Sequence, residues 1–237
     1  MIFAGILAGG IGSRMGSTEL PKQFLLLGDK PIIIHTLEKF LLNIEIDKIY
    51  IGVPKDWILY LNDLILKFIG KNEKIEILIG GVDRNGTIMN IIENIHNEYG
   101  ENEEDVIITH DAVRPFVNSR VINENIEKVK KVGACNTVIP SFDTIVISKN
   151  KEIISEIPDR RYMYQGQTPQ SFKISLLKKL YNELSLEEKE ILTDACKIFV
   201  VKNYPVYLVA GEIENLKITT QGDYKIAKAM IGVYDAK

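Results

Sequence analysis

Arg14 and Lys22 stand in one glycine-rich stretch, Leu7 to Phe24, which opens LAGGIGSRMG and closes LPKQF. Glycines after a strand let backbone N–H groups come close to phosphate oxygens. Two cations in the same loop can bracket a triphosphate and offset the charge that builds on a phosphorus under attack. Neither common nucleotide fingerprint is present. GxGxxG would need glycine where Met15 stands, and no Gly-Lys-Ser/Thr ends a Walker A loop. On residue types alone the stretch is equally an ordinary strand-ending turn with two solvated cations.

Three further segments carry groups of the same kind. In THDAVRPF, Thr109 to Phe116, Asp111 suits Mg²⁺, which takes one or two carboxylates plus phosphate oxygens. Arg114 suits a substrate phosphate, although the pair also reads as a capping aspartate with its arginine partner. His110 reads as a structural hydrogen-bonder, because a phosphate nucleophile is already ionised at neutral pH and needs no base. In GGVDRNGT, Gly80 to Thr87, the glycines can press against a flat base while Arg84 and Thr87 hydrogen-bond base or phosphate. The same residues also make a plain turn into a helix. In YQGQTPQSF, Tyr164 to Phe172, shortly after Arg160 and Arg161, Thr168-Pro169 is a rigid extended step that can present a hydroxyl. It reads equally as a proline-punctuated entry to a helix beginning near Lys173.

Something must bring these segments together. The apolar run Ile2 to Ala8, ended by Gly9 and Gly10, predicts a parallel strand covered on both faces. Further strands are predicted at Lys48–Val53, Ile75–Ile79, Asp105–Thr109, Ala134–Ile139 and Val206–Val209. Helices are predicted at Pro31–Leu42, 56–69, Asn85–Tyr99, Asn118–Val132, Ser175–Asn203 and Gln221–Ile231. This alternation implies an α/β fold, a Rossmann-like, mostly parallel sheet flanked by helices. Ligands bind such sheets at the carboxyl ends of the strands, where three of the segments fall. The rhythm breaks at Phe142–Ile157. There, alternating runs around a polar turn at Lys149–Lys151 predict a protruding β-hairpin arm, a natural contact to another subunit. No linker divides residues 1–237, so a single domain is expected.

Composition bounds the function. A formal net charge of -3 argues against sequence-independent nucleic-acid binding, which needs a basic face, but allows a local cationic pocket. Cys135 and Cys196 provide neither a disulfide framework nor a metal spacing, as expected of a protein in a reducing cytosol. No stretch has the length of a membrane span, and the N-terminus lacks the basic region of a signal peptide. A cytoplasmic location without a membrane partner is expected.

Taken in order, LAGGIGSRMG, LPKQF, HDAVRPF, DTIV, GQTPQSF and TDACK run from residue 7 to 197. In this combination the chain resembles the cytidylyltransferase family that includes methylerythritol phosphate and ribitol 5-phosphate cytidylyltransferases. The ribitol branch is the closer match: LAGG stands where the methylerythritol branch has Pro-Ala-Ala-Gly, and Asp-Ala-Val-Arg-Pro-Phe where it has Asp-Ala-Ala-Arg-Pro. The resemblance implies that Arg14 and Lys22 are the catalytic cations. Leu7, Ala8, Gly9, Gly10, Gly81, Arg84, Thr87 and Asp111 would hold the nucleotide, and Arg114, Thr144, Arg160, Thr168 and Lys217 the polyol phosphate. Asp111 would bind Mg²⁺. Glu214 stands where the methylerythritol branch has aspartate and would be a second, longer metal ligand. The 142–157 arm would join a homodimer and lend residues to the neighbour's site.

The implied reaction is in-line attack of D-ribitol 5-phosphate on the α-phosphorus of CTP, giving CDP-ribitol and pyrophosphate for teichoic acid or capsule synthesis. A partner reductase would supply the ribitol phosphate. The alternatives are the same reaction on 2-C-methyl-D-erythritol 4-phosphate, for isoprenoid synthesis, a nucleotide-sensing module without turnover, and a purely structural domain.

Overall fold

A computed structural model describes residues 1–10 and 20–234 of the chain. In chain order its elements begin with β1 (Ile2–Leu7), the short hairpin strands β2 (Leu26–Leu27) and β3 (Lys30–Pro31), and α1 (Ile32–Leu41). Then follow β4 (Lys48–Val53), α2 (Ile58–Phe68), β5 (Ile75–Ile79), α3 (Arg84–Tyr99), β6 (Val106–Asp111), α4 (Ser119–Val132) and β7 (Ala134–Pro140). The last elements are β8 (Tyr164–Lys173), α5 (Ile174–Asn182), α6 (Leu186–Glu190), α7 (Ala195–Val201), β9 (Tyr207–Ala210) and α8 (Gln221–Tyr234).

The main sheet has the order β5-β4-β1-β6-β8-β7-β9. Its ladders are parallel except where β8 runs antiparallel between β6 and β7. Strand residues alternate between two cores, as the period of two demands. Ala4, Ile6, Ile49, Ile51, Val106 and Ile108 pack under α1, α2 and α4. Phe3, Tyr50 and Ile107 face the other way, against Ile88, Ile91, Ile92 and Ile95 of α3, which share one helical face. Asn118 caps the start of α4 by accepting from the N–H of Val121. Gly133 ends α4 at φ +83, a left-handed position that favours glycine.

The α/β architecture matches the expectation from sequence, with three local corrections. YQGQTPQSF leads into a helix near Lys173 as expected, α5 beginning at Ile174, but is itself a strand, β8, inserted between β6 and β7. Pro169 fits there because it lies in the irregular stretch between the Asn136–Gln170 and Val138–Gly166 pairs, where a missing N–H breaks no ladder bond. The helix expected over Ser175–Asn203 is three helices. Ser185 and Glu188 form a capping box that starts α6, and Asp194 caps α7. The 142–157 arm projects as expected and turns at Asn150 and Lys151, but its two sides pair only through the Ile147–Glu156 bridge. No helix among the described residues is long and apolar enough to cross a membrane.

Candidate active site

Register alone brings the chemistry together. In the ladders β1 shares with β4 and β6, Leu7 pairs with Gly52 and with Asp111. The ends are stitched by Ala8 N–H to the Gly52 carbonyl at 2.9 Å and Ala112 N–H to the Leu7 carbonyl at 3.1 Å. Over these ends opens a pocket of about 300 Å³. Leu7, Ala8, Gly9 and Gly10 line it from β1, and Gly81, Arg84 and Thr87 from the β5–α3 turn. Asp111, Lys22 and Lys217 complete the predicted set. Arg14 lies outside the described residues.

The β5–α3 turn is shaped by close approach. A Cβ on Gly81 would lie 2.3 Å from the Gly86 carbonyl carbon, and one on Gly52 would lie 2.2 Å from Cγ2 of Thr87. The Thr87 hydroxyl accepts from the Gly81 N–H at 2.9 Å and donates to the Asp83 carbonyl at 2.9 Å. Thr87 therefore builds the wall of the pocket, its hydroxyl already committed to the turn. The Asp83 side chain caps α3 through the Gly86 N–H at 2.6 Å.

Asp111 is the electrostatic centre. It is buried, and three cations surround its carboxylate. Arg84 donates to Oδ1, while Arg114 Nε and Lys217 Nζ lie 3.2 and 3.0 Å from Oδ2. Burial alone raises a carboxyl pKa, but Arg84, Lys217 and Arg114 outweigh it and hold Asp111 well below the usual carboxylate range. The floor is thus an ionised carboxylate with excess positive charge around it. Nε and Nη2 of Arg84 are buried without a hydrogen-bond partner among the described residues. Buried donors of this kind are costly unless an acceptor meets them, and phosphate oxygens are suitable acceptors.

One ionised carboxylate beside phosphate-seeking cations is a donor set that fits Mg²⁺, provided Arg84 transfers from Oδ1 to phosphate. Glu214 does not join it, being exposed and absent from the pocket lining. No three His, Cys, Asp or Glu side chains gather for a metal among the described residues.

The predicted acceptor residues divide. Arg114 and Lys217 meet at Asp111. Thr168 is buried beneath it, its Oγ1 accepting from the Asp111 backbone N–H at 3.1 Å, so it does not present a free hydroxyl. Thr144 and Arg160 are exposed on and beside the arm, away from the pocket, and Arg160 donates to the Phe142 carbonyl at 2.7 Å. Gln23 and Asp83 were not picked out in the sequence. Gln23 lines the pocket and donates to the Ala8 carbonyl at 2.7 Å. Its place beside Lys22 in PKQF was the available signal.

Comparison with known proteins bears on this geometry. Residues 2–233 match the family model described as 2-C-methyl-D-erythritol 4-phosphate cytidylyltransferase (IspD). Among solved structures, the chain resembles 4-diphosphocytidyl-2C-methyl-D-erythritol synthase from Anaerococcus prevotii at 27% identity, covering 98% of this chain and 96% of that one, with a TM-score of 0.79. It resembles 2-C-methyl-D-erythritol 4-phosphate cytidylyltransferase from Francisella tularensis at 27% identity, covering 96% and 98%, also at 0.79. The corresponding enzyme from Thermus thermophilus, at 24% identity over 97% and 98% with a TM-score of 0.72, shares the fold.

Proposed function

This chain belongs to the 2-C-methyl-D-erythritol 4-phosphate cytidylyltransferase family and is a cytidylyltransferase, and from that premise we propose how its pocket divides the work. CTP lies along the β1 end and the β5–α3 turn, with its phosphates against Arg84, Lys22 and Arg14. The phosphate of a short polyol lies against Arg114 and Lys217. The observation that carries this reading is the ring of Arg84, Arg114 and Lys217 on one buried carboxylate. It is a locally positive site on a protein of net charge -3.

In the reaction an oxygen of the acceptor phosphate attacks the α-phosphorus of CTP in line. The new P–O bond forms as the bond to pyrophosphate breaks, leaving a CDP-polyol. The nucleophile is ionised, so no general base is required. His110, buried beneath Asp111 and pushed down to about 3 by that burial, is kept neutral as a structural group. Arg14 and Lys22 offset the charge growing at phosphorus. Asp111 would hold Mg²⁺, which would supply charge neutralisation at the phosphates.

The relatives support 2-C-methyl-D-erythritol 4-phosphate as the acceptor, with the product entering isoprenoid synthesis. A second reading, D-ribitol 5-phosphate, is favoured by Leu7 and Val113, which line the pocket and stand where the methylerythritol branch has other residues. That product would serve teichoic acid or capsule synthesis, with a reductase as partner. The exposed Phe142, Ile153, Ile154 and Ile157 of the arm support a homodimer in which Thr144 and Arg160 reach the neighbour's pocket. Pyrophosphate release from CTP with each polyol phosphate separates the acceptors. CTP binding without release on any of them would sink the catalytic division of labour.

A further inference from the structure

Asn215 is completely buried and lies two positions before Lys217. Its Nδ2 donates to the Thr168 carbonyl at 2.8 Å and to Gln167 Oε1 at 3.1 Å. Its own carbonyl accepts from Arg114 Nη1 at 2.7 Å, while the other end of that guanidinium, Nε, reaches Asp111 Oδ2. The segment is pinned on both sides, by Asn215 N–H to the Glu212 carbonyl at 3.2 Å and Ile218 N–H to the Val113 carbonyl at 3.0 Å. Between these pins the chain presents Lys217 to the same Asp111 oxygen.

We infer that Asn215 is a positioning residue that fixes both acceptor-side cations, Arg114 through its carbonyl and Lys217 through its side-chain anchorage to β8. The inference rests on the reading that Arg114 and Lys217 hold the acceptor phosphate. The chemistry requires an amide. Both groups facing Nδ2 are oxygens that only accept, so the donor must stand there and the amide orientation follows. Oδ1 has no partner among the described residues, so the anchorage resides in the two donated bonds. Asn215→Asp keeps the shape but sets an oxygen against two oxygens. Asn215→Ala keeps the main chain and frees the loop.

The test is steady-state pyrophosphate release with 2-C-methyl-D-erythritol 4-phosphate or D-ribitol 5-phosphate, whichever turns over, in Asn215→Asp, Asn215→Ala, Lys217→Ala and the double variant Asn215→Ala/Lys217→Ala. Each single variant is expected to lower kcat/KM for the acceptor on the order of tenfold to a hundredfold, with the KM for CTP held within about twofold. In the Lys217→Ala background, Asn215→Ala should cost less than it does alone, because the part of its effect that runs through Lys217 is already lost while the part through Arg114 remains. Gln167→Ala removes one of the two anchors and should show a smaller loss of the same kind. It decides the matter should the Asn215 variants fail to fold. An unchanged kcat/KM for the acceptor in the Asn215 variants, or a full additive loss in the double variant, overturns the inference while leaving the reading of Lys217 intact. A harmless Lys217→Ala overturns both.

Discussion

The Thr168 hydroxyl donates to Nδ1 of His110 across 3.0 Å. The direction follows from the other ring nitrogen. Nε2 faces the Arg114 carbonyl at 3.1 Å, an acceptor only, so Nε2 carries the proton of a neutral ring and Nδ1 must accept. The hydroxyl keeps a lone pair for the Asp111 N–H. A directed chain thus runs from the Asp111 peptide through Thr168 and His110 to Arg114, and it sets the strand end that carries the central carboxylate.

Thr168→Val should therefore cost about 1–3 kcal/mol of stability, because it leaves a buried N–H and a ring nitrogen unpaired. Thr168→Ser, which keeps the hydroxyl, should lose much less. Urea unfolding of both variants measures this. Equal losses would show that packing rather than the hydroxyl matters.

His110 gives the fold a pH dependence. Burial takes its pKa from the ordinary 6.5 down to about 3; the carbonyl of Arg114 and the charge of Asp111 act against this, and the charges of Arg114 and Arg84 with it. The unfolded chain binds a proton on this ring that the folded chain refuses. Stability from this group is therefore full above about pH 6.5 and is lost as pH falls toward 3, approaching ~1.4 kcal/mol per pH unit. Asp111, held below the ordinary 3.8, adds its own loss once pH falls below about that value. In metal-free buffer, the stability advantage of wild type over His110→Asn should shrink steadily through that window. A constant difference would contradict it.

Gly81→Ala should damage the nucleotide wall. Its Cβ would meet backbone, the Gly86 carbonyl carbon at 2.3 Å, which cannot swing aside as a flexible side chain can. Overpacking of this kind costs about 1–3 kcal/mol. Thermal unfolding should show that loss together with a reduced upward shift on adding CTP. A normal CTP shift would mean that the turn does not touch the nucleotide.

Lys22→Ala and Arg14→Ala should each lower turnover on the order of 10²–10³ if both neutralise charge that develops in the transition state. Single-turnover pyrophosphate release, with CTP affinity measured separately, distinguishes this from weakened binding. Near wild-type turnover in both variants would remove them from catalysis.

The local chemistry was legible in the sequence. Glycines after apolar runs marked the strand ends, and β4 and β5 fell where the pattern put them, because periodicity and turn residues act over a few positions. Most of the pocket lining followed from the same segments. What the sequence could not decide was which distant groups meet there. β8 became a central antiparallel strand because β6 and β7 offered ladders on both sides, a pairing no local pattern records. That insertion turned the Thr168 hydroxyl inward, to Asp111 and His110. The amide of Asn215 and the carbonyl of Thr168, 47 positions apart in the chain, meet only in the folded molecule. In the same way, Glu214 and Lys217 stand in one short motif, yet one side chain is left in solvent and the other reaches Asp111. Sequence determined the pieces because their physics is local; tertiary structure decided their partners because burial and charge pairing are not.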